Sequence, residues 1–126
     1  MGIVAAVDNG NSCSTFNDAV WFISVKNNKK GDEVVEVANG EEIPVDATGT
    51  AVFRVHEKQN DPTSPYILVI DRNALLIKSY PTALISEDVF TDPQSRKLNN
   101  VNVETPLTLN EEEYSKFVIW HDDQKF

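Results

Sequence analysis

An Asn-Gly pair between two β-rich segments is the feature that most constrains how this chain folds. Asn39-Gly40 separates Glu33–Val37 from Glu41–Val45, and both segments are rich in β-forming residues. Asparagine and glycine accept the left-handed conformation that a tight hairpin turn needs, so this pattern predicts a β-hairpin. Pro44 has no N–H, which predicts an unpaired edge or a bulge in the second arm.

Short apolar runs bounded by turn residues continue this pattern along the chain. The segments expected to form strands are Ile3–Val7, Thr50–His56, Tyr66–Ile70, Ala74–Ile77 and Phe117–Trp120. A turn is expected at Asp71–Asn73, and a short helix over Pro81–Ile85, since proline is accepted in a first helical turn. Residues 16–25 fit either a strand or a helical turn capped by Asn17-Asp18. The fold class predicted from these runs is all-β.

Size and charge limit the classes of function. A chain of 126 residues fits one domain, here residues 1–126. A formal net charge of -9 repels phosphate backbones, which argues against nucleic-acid binding. The single cysteine, Cys13, indicates a reducing compartment, and the sequence shows neither a membrane-spanning run nor a signal peptide. We therefore expect no membrane association and a cytoplasmic location.

An aspartate at the end of an apolar strand is the main candidate for chemistry. Asp8 follows Ile3–Val7, and Gly10 comes two residues later. An aspartic protease needs two carboxylates about 3 Å apart in a cleft that excludes water, so that they share one proton. A tight turn with glycine lets the backbone N–H groups approach such carboxylates. Asp46 and Asp71 also follow apolar residues, but neither has glycine two positions on.

Three segments, in this order and spacing, resemble the copia-type retrotransposon aspartic proteases, a retropepsin-like family. The segments are Ala6–Ser12, Val37–Val45 and Thr48–Phe53, and the resemblance covers residues 3–90. It implies a small closed β-barrel with one short helix and a hairpin flap, one lobe per chain. It also implies that Ala74–Ile77 lies beside the catalytic loop and is followed by a short helix over Ser79–Ile85. Residues 91–126 are expected to add C-terminal strands.

The resemblance also implies an activity and a set of site residues. The chain would be a homodimeric aspartic endopeptidase that cleaves a peptide or polyprotein, with Asp8 from each chain in one catalytic dyad. It would need no cofactor and no metal, and it would act in the cytoplasm, either free or inside a virus-like particle. The active-site loop would comprise Asn9, Gly10, Asn11 and Ser12. The flap that binds substrate would comprise Val37, Ala38, Asn39, Gly40, Glu41, Glu42 and Ile43.

Two residues beside Asp8 support an alternative function. Asn9 stands where the family has serine or threonine, and Asn11 stands where it has a small alanine. The alternative is a non-catalytic β-domain of retropepsin shape, which acts as a protein-interaction module or is a domesticated remnant. A third possibility is an unrelated structural β-domain of a virus or phage, which the acidic composition permits.

Overall fold

The computed structural model describes residues 2–8, 14–27, 34–36, 40–105, 120–121 and 124–125. The described chain is mostly β. Its strands are β1 (Gly2–Asp8), β2 (Thr15–Phe16), β3 (Phe22–Asn27), β4 (Val34–Glu36), β5 (Glu42–Pro44), β6 (Ala47–His56), β7 (Tyr66–Leu76), β8 (Leu84–Ser86), β9 (Asn100–Glu104), β10 (Trp120–His121) and β11 (Gln124–Lys125). Its helices are the 3₁₀ helices Ala19–Trp21 and Glu87–Val89 and the α-helix α1 (Pro93–Arg96). Within these residues, no helix has both the length and the apolar character needed to cross a membrane.

Seven strands form one sheet in the order β3-β6-β7-β2-β8-β1-β9. The strands β4 and β5 form a separate two-stranded sheet, and so do β10 and β11. Strand β6 also meets β9, but only at the pair Arg54 and Glu104. The predicted closed barrel is therefore wrong, because one bridging pair does not make a continuous ladder. Strand β3 lies outside that bridge, at one end of the sheet order.

The core lies on one face of the curved sheet, where alternate residues of the long strands point inward. On β6 the inward residues are Ala51, Phe53 and Val55, which are all buried. Phe16 lies at the centre of an aromatic cluster, with ring centroids 5.0 Å from Trp21 and 5.4 Å from Phe53. Alternation of this kind is what a strand with one covered face requires.

Outward-facing side chains of β6, β7 and β9 contact one another where β6 and β9 meet at the pair Arg54 and Glu104. Arg54 donates to Glu104 Oε2 from Nε at 3.0 Å and from Nη2 at 2.9 Å. The Tyr66 hydroxyl donates to the same oxygen at 3.2 Å. The Tyr66 ring stacks on His56 at 4.0 Å and lies 4.3 Å from the Arg54 guanidinium carbon. These contacts hold β9 against the outer edge of β6.

Strand β7 runs through the region where a turn was predicted, so that prediction is wrong. The ladder with β6 pairs Gly49 with Ala74 and Ala51 with Asp71, which leaves one extra residue on β7. Arg72 and Asn73 are exposed, while Asp71 is fully buried. A β-bulge of this kind accommodates turn-forming residues without ending the strand.

The short helix predicted over Ser79–Ile85 is also wrong. Leu84–Ser86 forms β8, which pairs with β1 on one side and with β2 on the other. Ile85 and Ser86 are fully buried between those strands. Pairing on two sides outweighs the weak local preference that Pro81 gives for a helix. The α-helix lies later in the chain, at Pro93–Arg96, where the Asp92 side chain caps its N-terminus.

Near the N-terminus, the structure settles the form of residues 16–25 and the extent of burial of the first strand. Asp18 caps the 3₁₀ helix Ala19–Trp21, since its carboxylate accepts from Val20 N at 2.9 Å. The predicted strand at Ile3–Val7 is confirmed as β1, although it is not buried throughout. Ala5 is fully buried, whereas Val4 is 60% exposed, because β1 covers the core with only one of its faces.

Candidate functional site

Asp8 is the last residue of β1 and is half-buried. Strand β1 runs parallel to β8, and the pairing sets Asp8 opposite Ser86. On its other edge β1 is antiparallel to β9. The backbone of β1 is therefore held by β9 as far as Ala6, and by β8 as far as Asp8. The other four residues of the predicted active-site loop, Asn9, Gly10, Asn11 and Ser12, lie outside the described residues.

The chain resumes at Ser14 and enters β2 on the far side of β8. Thr15 pairs with Leu84 of β8 and with Leu75 of β7. Strand β8 thus lies between β1 and β2, and Asp8 and Ser14 both lie at its C-terminal end, beside Ser86. Ser14, Thr15 and Ser86 are all buried, so the residues that support this end of the sheet are polar side chains shielded from solvent.

The strand that pairs with the Asp8 end of β1 is β8. Ala74–Ile77 was expected to lie beside the catalytic loop, and this stays a prediction because residues 9–12 lie outside the described residues. The last residues of β7 pair with β2 instead. Both segments are short and apolar, so hydrophobicity alone did not distinguish which of them reaches β1.

A fully buried carboxyl, Asp71, supports the start of β2. Its Oδ2 accepts a hydrogen bond from Ser14 N at 2.8 Å, and its Oδ1 accepts from Asn73 N at 3.0 Å. Ser14 Oγ in turn accepts from Ser86 N at 3.3 Å. The sequence analysis set Asp71 aside because it lacks a following glycine. Its burial depends on the bulge in β7, which the apolar pattern does not reveal.

The predicted hairpin is present as β4 and β5. Val35 pairs with Ile43 and Glu36 with Glu42, a register that centres the hairpin on position 39. Gly40 has a φ of 85°, in the region that favours glycine. Glu41 and Glu42 are exposed and Ile43 is half-buried, while Val37, Ala38 and Asn39 lie outside the described residues. In the described ladders the hairpin is not paired with the seven-stranded sheet, so its position over Asp8 stays a prediction.

A cavity of about 410 Å³ lies at the opposite end of β1 from Asp8. Val4, His56 and Glu104 are among the residues that line it, and Asp8 is not. At about 3.3 Å per residue, Val4 and Asp8 are separated by roughly 13 Å along the strand. The cavity is therefore a separate feature from the region around Asp8.

No three histidine, cysteine, aspartate or glutamate side chains lie close enough to hold a metal ion in the described part of the chain. The candidate site consists of Asp8, the strands β1 and β8 that carry and support it, and the hairpin β4–β5. No family model matches the chain, and no curated protein or solved structure is detectably similar to it.

Proposed function

We propose that this chain is one half of a homodimeric aspartic endopeptidase of the retropepsin type. The observation that carries the proposal is the placement of Asp8 at the end of β1, beside β8, with the chain returning on the other side of β8 as β2. This arrangement fixes the backbone of a half-buried carboxylate at both ends of a short connection. It supports presentation of that carboxylate at an edge where a second copy supplies its own Asp8.

The chemistry follows from two carboxylates that share one proton. One carboxylate takes a proton from water, which attacks the carbonyl carbon of the peptide bond. The other carboxyl is protonated and donates a hydrogen bond to the carbonyl oxygen. The proton taken from water then passes to the amide nitrogen as the C–N bond breaks, the amine leaves, and the pair of carboxyls returns to its starting state. Water is the nucleophile, so the reaction needs no cofactor.

The hairpin β4–β5 is proposed as the flap that covers an extended peptide. A peptide bound as a strand offers backbone hydrogen bonds for affinity and alternate side chains for specificity. Exposed Glu41 and Glu42 favour substrates with basic side chains near the flap.

The test compares cleavage of a peptide library by the wild type and by Asp8→Asn, at about pH 5 and about pH 7. Asp61→Asn, in the exposed β6–β7 loop, is the matched control for removal of one carboxylate. We expect Asp8→Asn to lose cleavage and Asp61→Asn to keep it. Wild-type activity should rise faster than linearly with enzyme concentration, because only the dimer has the dyad.

Mixing the two chains makes the test of a shared dyad sharper. An excess of the Asp8→Asn chain should suppress the activity of wild-type chains, since mixed dimers have only one functional aspartate. A wild-type rate that does not change when the mutant is in excess would rule out a dyad shared between chains.

A non-catalytic interaction module of the same fold is the second candidate. Asn9 and Asn11, the two differences from the family pattern beside Asp8, favour it. It predicts that the folded wild type binds extended peptides without cleaving them. Peptide binding that survives in Asp8→Asn, together with no cleavage by either protein, would select this function over the protease.

A further inference from the structure

The buried carboxyl of Asp71 links β7 to Ser14, the residue that precedes β2. It lies on the bulge of β7 and accepts hydrogen bonds from the backbone of Ser14 and of Asn73, at 2.8 Å and 3.0 Å. Ser14 is the first described residue after the connection from Asp8, and Asp71 is 57 positions further along the chain. The carboxyl therefore ties the returning end of that connection to a strand of the central sheet.

A second link carries this support toward Asp8. Ser14 Oγ accepts from Ser86 N at 3.3 Å, and Ser86 is the residue that pairs with Asp8 across β1 and β8. Ser14, Ser86 and Asp71 are each 0% exposed, so water does not compete for these bonds. Buried hydrogen bonds of this kind fix geometry because each group has no solvent alternative.

We infer that Asp71 is a positioning residue for Asp8, acting through Ser14 and Ser86. The inference rests on the proposed protease function. Asp71 itself is inaccessible to a peptide, so it does not serve as a second catalytic carboxyl within one chain. Instead it sets where the connection after Asp8 ends, and so fixes the backbone from which the catalytic carboxylate projects.

The chemistry of the site indicates why an aspartate is needed there. A carboxyl offers two acceptor oxygens, and in this position each of them receives a backbone N–H. Asparagine has one acceptor oxygen and one NH₂ donor, so Asp71→Asn would set a donor against one of the two backbone N–H groups. The substitution keeps the size and shape of the side chain, and it changes this pattern of donors and acceptors together with the capacity to carry a negative charge.

The experiment measures amide hydrogen exchange and cleavage for Asp71→Asn. Asp46→Asn is the matched control, because Asp46 Oδ2 accepts from Lys78 N at the same 2.8 Å, in an exposed position outside this group of bonds. In Asp71→Asn we expect the Ser14 amide to exchange at least about ten-fold faster than in the wild type, after correction for global stability. The amides of Ser86 and Asp8 should shift in the NMR spectrum. Asp46→Asn should change the exchange rate of the Lys78 amide and leave the exchange rate of the Ser14 amide unchanged.

In the cleavage assay, Asp71→Asn should lower kcat by about ten-fold or more, with KM within about two-fold of the wild type. A lower kcat with a nearly unchanged KM is expected because Asp71 contacts no substrate and affects only the position of the Asp8 carboxylate. Equal acceleration of all amides, including those of Phe53 and Val69 in the β6–β7 ladder, would show a purely structural role and overturn the inference. An unchanged kcat beside a faster Ser14 amide would also overturn it.

Ser14→Ala keeps the inference testable if Asp71→Asn does not fold. It removes only the oxygen that accepts from Ser86 N, and it should lower kcat and shift the Asp8 amide while the Ser14 amide stays protected. If the wild type cleaves no peptide, the protease proposal fails on its own. The exchange of Ser14 and the shift of the Asp8 amide then decide separately whether Asp71 holds this connection in place.

Discussion

Replacing Gly49 by alanine is expected to displace the edge strand β3 from β6. Gly49 pairs with Val25, and a Cβ at position 49 would lie 2.1 Å from the Ser24 carbonyl oxygen and 2.9 Å from the Val25 Cα. Both contacts are with backbone atoms, so no side chain can rotate away. The two strands would have to separate by about 1 Å, in a ladder whose hydrogen bonds tolerate little stretching.

The size of the effect follows from comparison with the other described glycines. Overpacking costs typically about 1–3 kcal/mol, and a clash with backbone places Gly49→Ala at about 3 kcal/mol. Gly40 has open space but a φ of 85°, so Gly40→Ala should cost about 1–2 kcal/mol from backbone strain alone. At Gly2 a Cβ would make an ordinary contact, 3.5 Å from Glu104 Cγ, and Gly2→Ala should stay within about 0.5 kcal/mol of the wild type.

Urea unfolding followed by tryptophan fluorescence measures these three free energies of unfolding, because Trp21 is buried and stacked on Phe16. Amide exchange of β3 in Gly49→Ala should rise more than exchange of β7, because the three atoms nearest the added Cβ all belong to β3. A Gly49→Ala protein as stable as Gly2→Ala would refute the reasoning. So would a destabilised protein in which the β3 amides stay as protected as in the wild type.

Two further predictions concern the core and the alkaline range. Phe16→Ala should lower the free energy of unfolding in urea by about 3–5 kcal/mol, because the ring is fully buried against Trp21 and Phe53. Ile23→Ala is the control, and it should cost under about 0.5 kcal/mol because the Ile23 side chain is 72% exposed. Similar costs for the two variants would contradict the assigned core. Burial first, and then the charge of Glu104, raise the pKa of Tyr66 above 10.0, so the folded state holds this proton more tightly than the unfolded state. The stability that this shift contributes is fully present below about pH 10 and is lost as the pH rises through the folded-state pKa of Tyr66. Tyr66→Phe should therefore flatten the curve of unfolding free energy against pH above about pH 10. Parallel curves for the wild type and the variant would contradict this prediction.

Local sequence was sufficient to predict the elements whose partners are close in the chain. The hairpin around Gly40 depends on residues within a few positions of each other, and it is confirmed. For residues 16–25 the sequence left a strand and a turn capped by Asn17-Asp18 open, and the structure contains both a helix capped by Asp18 and the strand β3. The strands at 50–56 and 66–70 were also predicted correctly, because alternation and continuous apolar runs reflect how many faces of a strand are covered.

Elements whose form depends on distant partners were predicted wrongly. Asp71–Asn73 has the composition of a turn, yet the long pairing with β6 carries the strand through it as a bulge. Leu84 and Ile85 were assigned to a helix because the two partner strands of β8, β1 and β2, come from the other end of the chain. The buried role of Asp71 was missed for the same reason, since its partner Ser14 lies 57 positions away.

The position of β8 between β1 and β2 has a consequence for the order of folding. The region around Asp8 uses residues near the beginning of the chain, but its partner strand is made many residues later, and the bond from Ser86 to Ser14 spans 72 positions. Contacts between such distant residues carry a large loop-closure cost and form slowly. During synthesis, β1 therefore has to wait for residues 84–86 before the backbone of Asp8 is held in place. A protease assembled in this way would remain inactive on the nascent chain until that late segment has been made.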